Sequence, residues 1–181
     1  WALPGGVLRI DLDDDLEHAV QRTARERLGS ELPFVRQLTT VGKKARDPRA
    51  PWSLAIVYRA MLPQDAFDPV AGKRLEALRW VPADEAAVDT QLAFDHAQLV
   101  QRAVDVTRAE AEQLVLPSGF LPASFTLGEL QATCEQILGR LLDKSSFRRK
   151  LSDRDLVEPV PGEMRGGANR PAQVYRWSGA A

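Results

Sequence analysis

The stretch "FTLGELQATCEQILGRLLDKSSFRRKL", residues 125–151, decides the architecture of the C-terminal third of the chain. Thr126 followed three residues later by Glu129 is a capping-box pattern, in which each side chain satisfies the other residue's backbone N–H at a helix start. Leu127, Leu130, Cys134, Ile137 and Leu138 then line one helical face, and Gly139 stands where a left-handed residue would end the helix. After a short turn, "RLLDK", a second helix is expected over about residues 145–155, with Phe147 and Leu151 four apart and facing inward. Downstream, "LVEPV" and "VYRW" flank the loop "PGEMRGGANRPAQ" and read as two strands joined by a wing. The order predicts a winged helix-turn-helix domain.

The charge of this block indicates a partner. Residues 139–177 hold nine Lys/Arg against five Asp/Glu, whereas residues 1–138 hold fifteen against twenty. A basic module on an acidic body is the asymmetry expected of a nucleic-acid-binding domain joined to something else. With Phe147 and Leu151 inward, the second helix leaves Ser145, Ser146, Arg148, Arg149 and Ser152 on its outer faces. Arginines pair with guanine edges and hydroxyls meet phosphates or bases, so Arg148 and Arg149 are the candidate base readers. Lys144 and Lys150 are read as phosphate contacts or solvated lysines. Arg165, Asn169 and Arg170 flank Gly166 and Gly167 in the wing; arginine beside glycine suits close approach to a narrow, negative minor groove.

The remaining composition is that of a globular protein, with 181 residues, 44% hydrophobic and 27% charged. No apolar run approaches the ~20 residues needed to span a bilayer, so no membrane role is expected. The single Cys134 cannot form an intramolecular disulfide and lies on the apolar stripe as a core residue; a reducing cytoplasm is the expected compartment. The chain opens on Trp1, inside an apolar run, and reads as a piece whose first segment is missing.

Residues 1–8 are expected to form a short strand, a Gly-Gly turn and another extended piece. Asp14 and Glu17 have capping-box spacing ahead of a helix with Leu16, Ala19, Val20, Ala24 and Leu28 at helical intervals, ended by Gly29. Strands are expected over residues 33–41 and 52–62, separated by the basic loop "GKKARDPRAP". A third strand is read in "RLEALRWVPADEA", and a long helix in "LAFDHAQLVQRAVDVTRAEAEQL". "VLPSGFLPASF" reads as a hinge, giving domains of 1–115 and 116–181. Trp52, Tyr58 and Trp80 are expected in the sheet core, and His18 and His96 in surface or packing positions.

The stretch "WALPGG", an acidic helix start and then "RTARERLG", residues 22–29, resembles the Nudix box, a Gly followed later by Glu and then Arg-Glu-apolar-x-Glu-Glu-x-Gly. The resemblance implies an α/β/α sandwich with a mixed sheet, whose box holds Mg²⁺ against a nucleoside diphosphate. Positions 23, 26 and 27 share a helical face, where three carboxylates would bind hard divalent ions through oxygen. Here they are Thr23, Glu26 and Arg27. A guanidinium ~4 Å from a divalent ion is repelled by about 8 kcal/mol at an effective dielectric of ~20. The box keeps its helix and loses its metal chemistry, so no catalytic residue, no metal and no cofactor are expected. Asp13, Asp14, Asp15 and Glu17 are read as helix-capping and solvated, with a rearranged metal site as the alternative.

A spoiled Nudix domain followed by a winged helix is similar to the Nudix-related transcriptional regulators of the NrtR type. The similarity runs through "WALPGG", "RDPR", "LAFDHAQLV", the 125–151 stretch and "RGGANRPAQVYRW". It implies a homodimer on double-stranded operator DNA near NAD-synthesis or salvage genes, relieved by ADP-ribose or a related nucleotide. The effector residues it implies are Gly5, Gly6, Arg22, Glu26, Arg46 and Arg49; for Arg46 and Arg49, solvated charge is an equal reading. The alternative function is an active hydrolase of ADP-ribose or another nucleoside diphosphate, regulated by its DNA-binding domain.

Overall fold

The computed structural model describes residues 1–62, 67–116, 120–166 and 171–178. The chain forms two compact units, Trp1–Asp105 and Val106–Ala181. This division lies ten residues before the expected one, inside helix α3 (His96–Glu112), because the helix's last two turns pack with the second unit.

In the first unit, α1 (Leu16–Leu28) is capped by Asp15, whose carboxylate accepts the His18 N–H at 2.7 Å. The cap is Asp15 rather than the expected Asp14, since Asp15 is the last residue with extended backbone. Gly29, at φ 73°, ends the helix and donates its N–H to the Arg25 carbonyl. The next carbonyls are satisfied from elsewhere: Val70, Gly72 and Lys73 donate to Leu28, Arg27 and Glu26 at 3.0, 2.9 and 2.8 Å. Gly72 is needed there, because a Cβ would lie 2.2 Å from the Glu26 carbonyl oxygen.

Strands β1 (Arg36–Lys44) and β2 (Trp52–Arg59) form an antiparallel pair running from Arg36↔Arg59 to Lys44↔Trp52. Two expected strands make no ladder. In residues 1–8 the backbone is spent on other partners: Leu3 donates to His96 Nδ1 and the Trp1 carbonyl accepts from Ala93. The run read in residues 74–86 is irregular and leads into the short helix α2 (Ala83–Val88). Trp52 and Trp80 are exposed, not core, and Tyr58 is half-buried.

The second unit contains the end of α3, then β3 (Phe125–Thr126), α4 (Leu127–Leu138), α5 (Lys144–Asp153), β4 (Val157–Arg165) and β5 (Ala172–Trp177). The sheet is antiparallel in the order β3-β5-β4. The two-residue β3 pairs Phe125↔Tyr175 and Thr126↔Val174 and is too short for periodicity to reveal. The capping box forms as expected, with Thr126 Oγ1 accepting from Glu129 N–H and Glu129 accepting from Thr126 N–H. Phe125, Leu130, Cys134, Phe147, Leu151 and Leu114 form the core, and Leu116 and Leu121 pack on it. The segment read as a hinge therefore supplies core side chains; its residues 117–119 lie outside the described residues. Burial pushes the Cys134 thiol up to about 11, so it is inert packing.

Leu130 has no exposed surface and joins both helices to the sheet. Leu130→Ala should lower stability by about 2–5 kcal/mol in urea denaturation.

Candidate functional site

Four of the six expected effector residues gather at α1. Helical spacing puts Thr23, Glu26 and Arg27 on the side approached by residues 5–7. Gly6 lies so close that a Cβ would stand 2.5 Å from Thr23 Oγ1, so only glycine fits against that hydroxyl. Arg27 donates from Nε to the Gly5 carbonyl at 3.0 Å and from Nη1 to the Lys73 carbonyl. Arg22 donates to the Val7 carbonyl at 2.9 Å and grips Asp13 through two bonds of 2.6 and 2.8 Å. It also lies 3.6 Å from Glu26. The Arg22 bond holds Asp13 down to about 2, against burial, with the Arg9 N–H helping. Asp13, read from sequence as capping or solvated, has a fully covered side chain.

Arg46 and Arg49 belong to a second cluster at the start of α3. Arg46 Nε donates to Asp95 Oδ2 at 2.8 Å, its Nη2 lies 2.7 Å from Oδ1 as an ion pair, and both side chains are nearly buried. Burial pushes Asp95 up, but the Arg46 hydrogen bond and charge outweigh it and its net shift is downward. Arg49 is largely exposed, pairs with Asp47 and stands 5.6 Å over the Phe94 ring. Burial, and then the Arg46 charge, lower the pKa of His96; its Nδ1 accepts the Leu3 N–H, so the ring is neutral with its proton on Nε2. Asp95 had no signal in the sequence, because its partner lies 49 positions away.

In the second unit, Asp143 caps α5 by accepting the Ser146 N–H, and Phe147 and Leu151 bury its inner face. Lys144, Ser145, Ser146, Arg148 and Arg149 are exposed on the same short helix. Lys150 is placed otherwise: its ammonium donates to the Glu112 carbonyl at the end of α3, and Arg154 donates to the Gln113 carbonyl at 2.6 Å. Arg165 is also engaged, with both Glu129 oxygens at 2.7 and 2.8 Å and with the Ser124 carbonyl at 3.1 Å. Asn169 and Arg170 lie outside the described residues. The capping role of Arg154 was not legible in sequence, since the basic run "SFRRK" ends before it.

Residues 1–103 match the NUDIX domain family, and residues 117–177 match the NrtR DNA-binding winged helix domain. The chain is 35% identical, over 98% of its length and 70% of the relative's, to the ADPR responsive transcriptional repressor NtrR of Acinetobacter baylyi. The chain belongs to the NrtR family. The fold follows suit: the crystal structure of Shewanella oneidensis NrtR complexed with a 27mer DNA matches at a TM-score of 0.75. That match has 32% identity and covers 98% of this chain and 80% of that one. The NUDIX domain of the same Shewanella oneidensis protein, cocrystallised with ADP ribose, matches at 0.52 and 33% identity. It covers 59% of this chain and 67% of that one. As an NrtR-family protein the chain thus has a Nudix-fold domain followed by a winged helix.

The divalent ion that the Nudix fold implies does not fit the residues of this NrtR-family box. Of the three ligand positions, Thr23 meets Gly6, Glu26 lies beside Arg22, and Arg27 occupies the place with a cation of its own. Among the described residues, no group of three His, Cys, Asp or Glu is placed to hold a metal ion.

The Arg22–Asp13 pair sets a pH signature. Asp13 is depressed from its ordinary 3.8 to about 2, so its contribution is present above pH 3.8 and is lost as pH falls toward 2. The stability difference between the protein and Arg22→Gln, measured by urea denaturation, should be constant above about pH 5 and shrink steadily below about pH 4.

Proposed function

We propose that this protein is a sequence-specific transcriptional repressor of NAD biosynthesis or salvage genes, acting in the cytoplasm as a homodimer on double-stranded operator DNA. ADP-ribose or a related nucleotide, bound at the α1 cluster of a catalytically inactive Nudix domain, releases it. The observation that carries this reading is the pairing, in one chain, of a winged helix with exposed Arg148 and Arg149 and a Nudix box with Arg27 in a ligand position. The DNA and ADP-ribose named for the Shewanella oneidensis relative support the two partners. A homodimer follows from affinity: one short helix and wing give modest binding, and two linked half-sites multiply it. Arg148 or Arg149 reads a base edge, Lys144 meets phosphate, and Lys150 and Arg165 hold the module together.

The direct test is a gel shift of the full chain on its own upstream DNA, with and without ADP-ribose. A retained complex that ADP-ribose dissolves is expected; a complex indifferent to ADP-ribose and NAD removes the effector reading.

Arg148→Ala or Arg149→Ala should cost about 1–3 kcal/mol and relax preference at one operator position. Lys144→Ala should weaken all sequences alike and lower the salt slope by about one. Equal, sequence-blind losses for all three would show that α5 is not the reader.

With Mg²⁺ or Mn²⁺ and ADP-ribose, the full chain should release no AMP. Steady turnover lost on Glu26→Gln would establish the hydrolase reading instead.

A further inference from the structure

The misfit between the Nudix metal and this box has a consequence for how the effector is held. A guanidinium carries five N–H donors in one plane. Arg27 commits Nε to the Gly5 carbonyl and one Nη1 donor to the Lys73 carbonyl; no described residue takes the other three. Among the described residues no carboxylate pairs with its charge: the adjacent one, Glu26, lies beside Arg22, itself bonded to Asp13. The segments it bonds are those that the first unit brings to α1, residues 5–7 and 70–73. Planar guanidinium forks match paired phosphate oxygens, and a fixed cation gives the same charge complementarity as a bound ion.

We propose that Arg27 replaces the divalent ion of the Nudix site: it ties Gly5 and Lys73 to α1 and offers its remaining donors to the diphosphate of the effector, which therefore binds without metal. This rests on the reading of the α1 cluster as the effector site. Thr23 and Gly6 form the neutral floor beside it. A divalent ion added at this place would meet the guanidinium's repulsion rather than a carboxylate cage.

The test is calorimetric titration of ADP-ribose into the full chain, in EDTA and in Mg²⁺. The unaltered protein should show the same dissociation constant in both. Arg27→Gln should bind about ten- to hundredfold more weakly in either buffer, the loss expected for charge-assisted hydrogen bonds. Arg27→Lys, which keeps the charge but not the fork, should recover part of that loss and serves as the folded variant if Arg27→Gln melts early. Two results would overturn the proposal: binding by the unaltered protein that EDTA abolishes, or variants that melt lower yet bind with undiminished affinity. The second would make Arg27 a structural tie alone. If the unaltered protein takes up no ADP-ribose in either buffer, the effector's identity is wrong, and inorganic pyrophosphate in EDTA decides the rest. Arg27-dependent pyrophosphate binding sustains the proposal, and its absence ends it.

Discussion

The first unit depends on how the C-terminal end of α1 is satisfied. A helix end leaves carbonyls without intrahelical donors, and each one buried unpaired costs about 1–3 kcal/mol. Here Glu26, Arg27 and Leu28 receive backbone N–H groups from residues 70–73, an approach that only Gly72 allows. The Arg27 side chain then turns to the same segment and to Gly5, so one residue accepts at its carbonyl and donates at its guanidinium. Residues 5–7, α1 and residues 70–73 are held together by this arrangement. Gly6 against Thr23 and Arg22 against Val7 add two further ties between the first and second of these segments.

The second unit solves the same end problem with side chains. The last carbonyls of α3 are met by Lys150 and Arg154, and Arg108 from α3 meets the Ile137 carbonyl near the end of α4. Cations at helix C-termini also oppose the negative end of the macrodipole. Arg140 and Arg176 pair with Glu112 and Glu158, and Arg165 pairs with Glu129. Five of the basic block's cations are therefore spent on the fold. Lys144, Arg148 and Arg149 are exposed on α5. The charge asymmetry located the module correctly but could not show which of its cations already have partners within the unit.

What was legible in the sequence follows one rule. Signals carried by neighbours three or four residues apart were readable: the Thr126–Glu129 box, the α4 stripe and the Phe147–Leu151 pair all stand as the periodicity implied. So did the loss of carboxylates at positions 23 and 27, because the box has a fixed spacing on one helix. Partners far apart in sequence were not readable. Asp95 for Arg46, Glu112 for Lys150 and Glu129 for Arg165 are separated by 49, 38 and 36 residues, and no local pattern marks them. The strand reading of residues 1–8 failed for a related reason: apolar and extended is a local property, whereas a ladder needs a neighbour, and here the neighbour is the start of α3.

Under the proposed function, the α1 cluster serves sensing rather than turnover. An enzyme gains rate only from interactions stronger in the transition state than in the ground state. A sensor needs the opposite, a ground-state complex that persists long enough to bias a conformational equilibrium. A cage of three carboxylates and a metal serves the first purpose, polarising the phosphate and activating water. One guanidinium serves the second: it supplies charge without a metal-bound water to activate. The ligand's free energy is then available for differential binding to two protein states, and that difference alone sets how far DNA affinity can move.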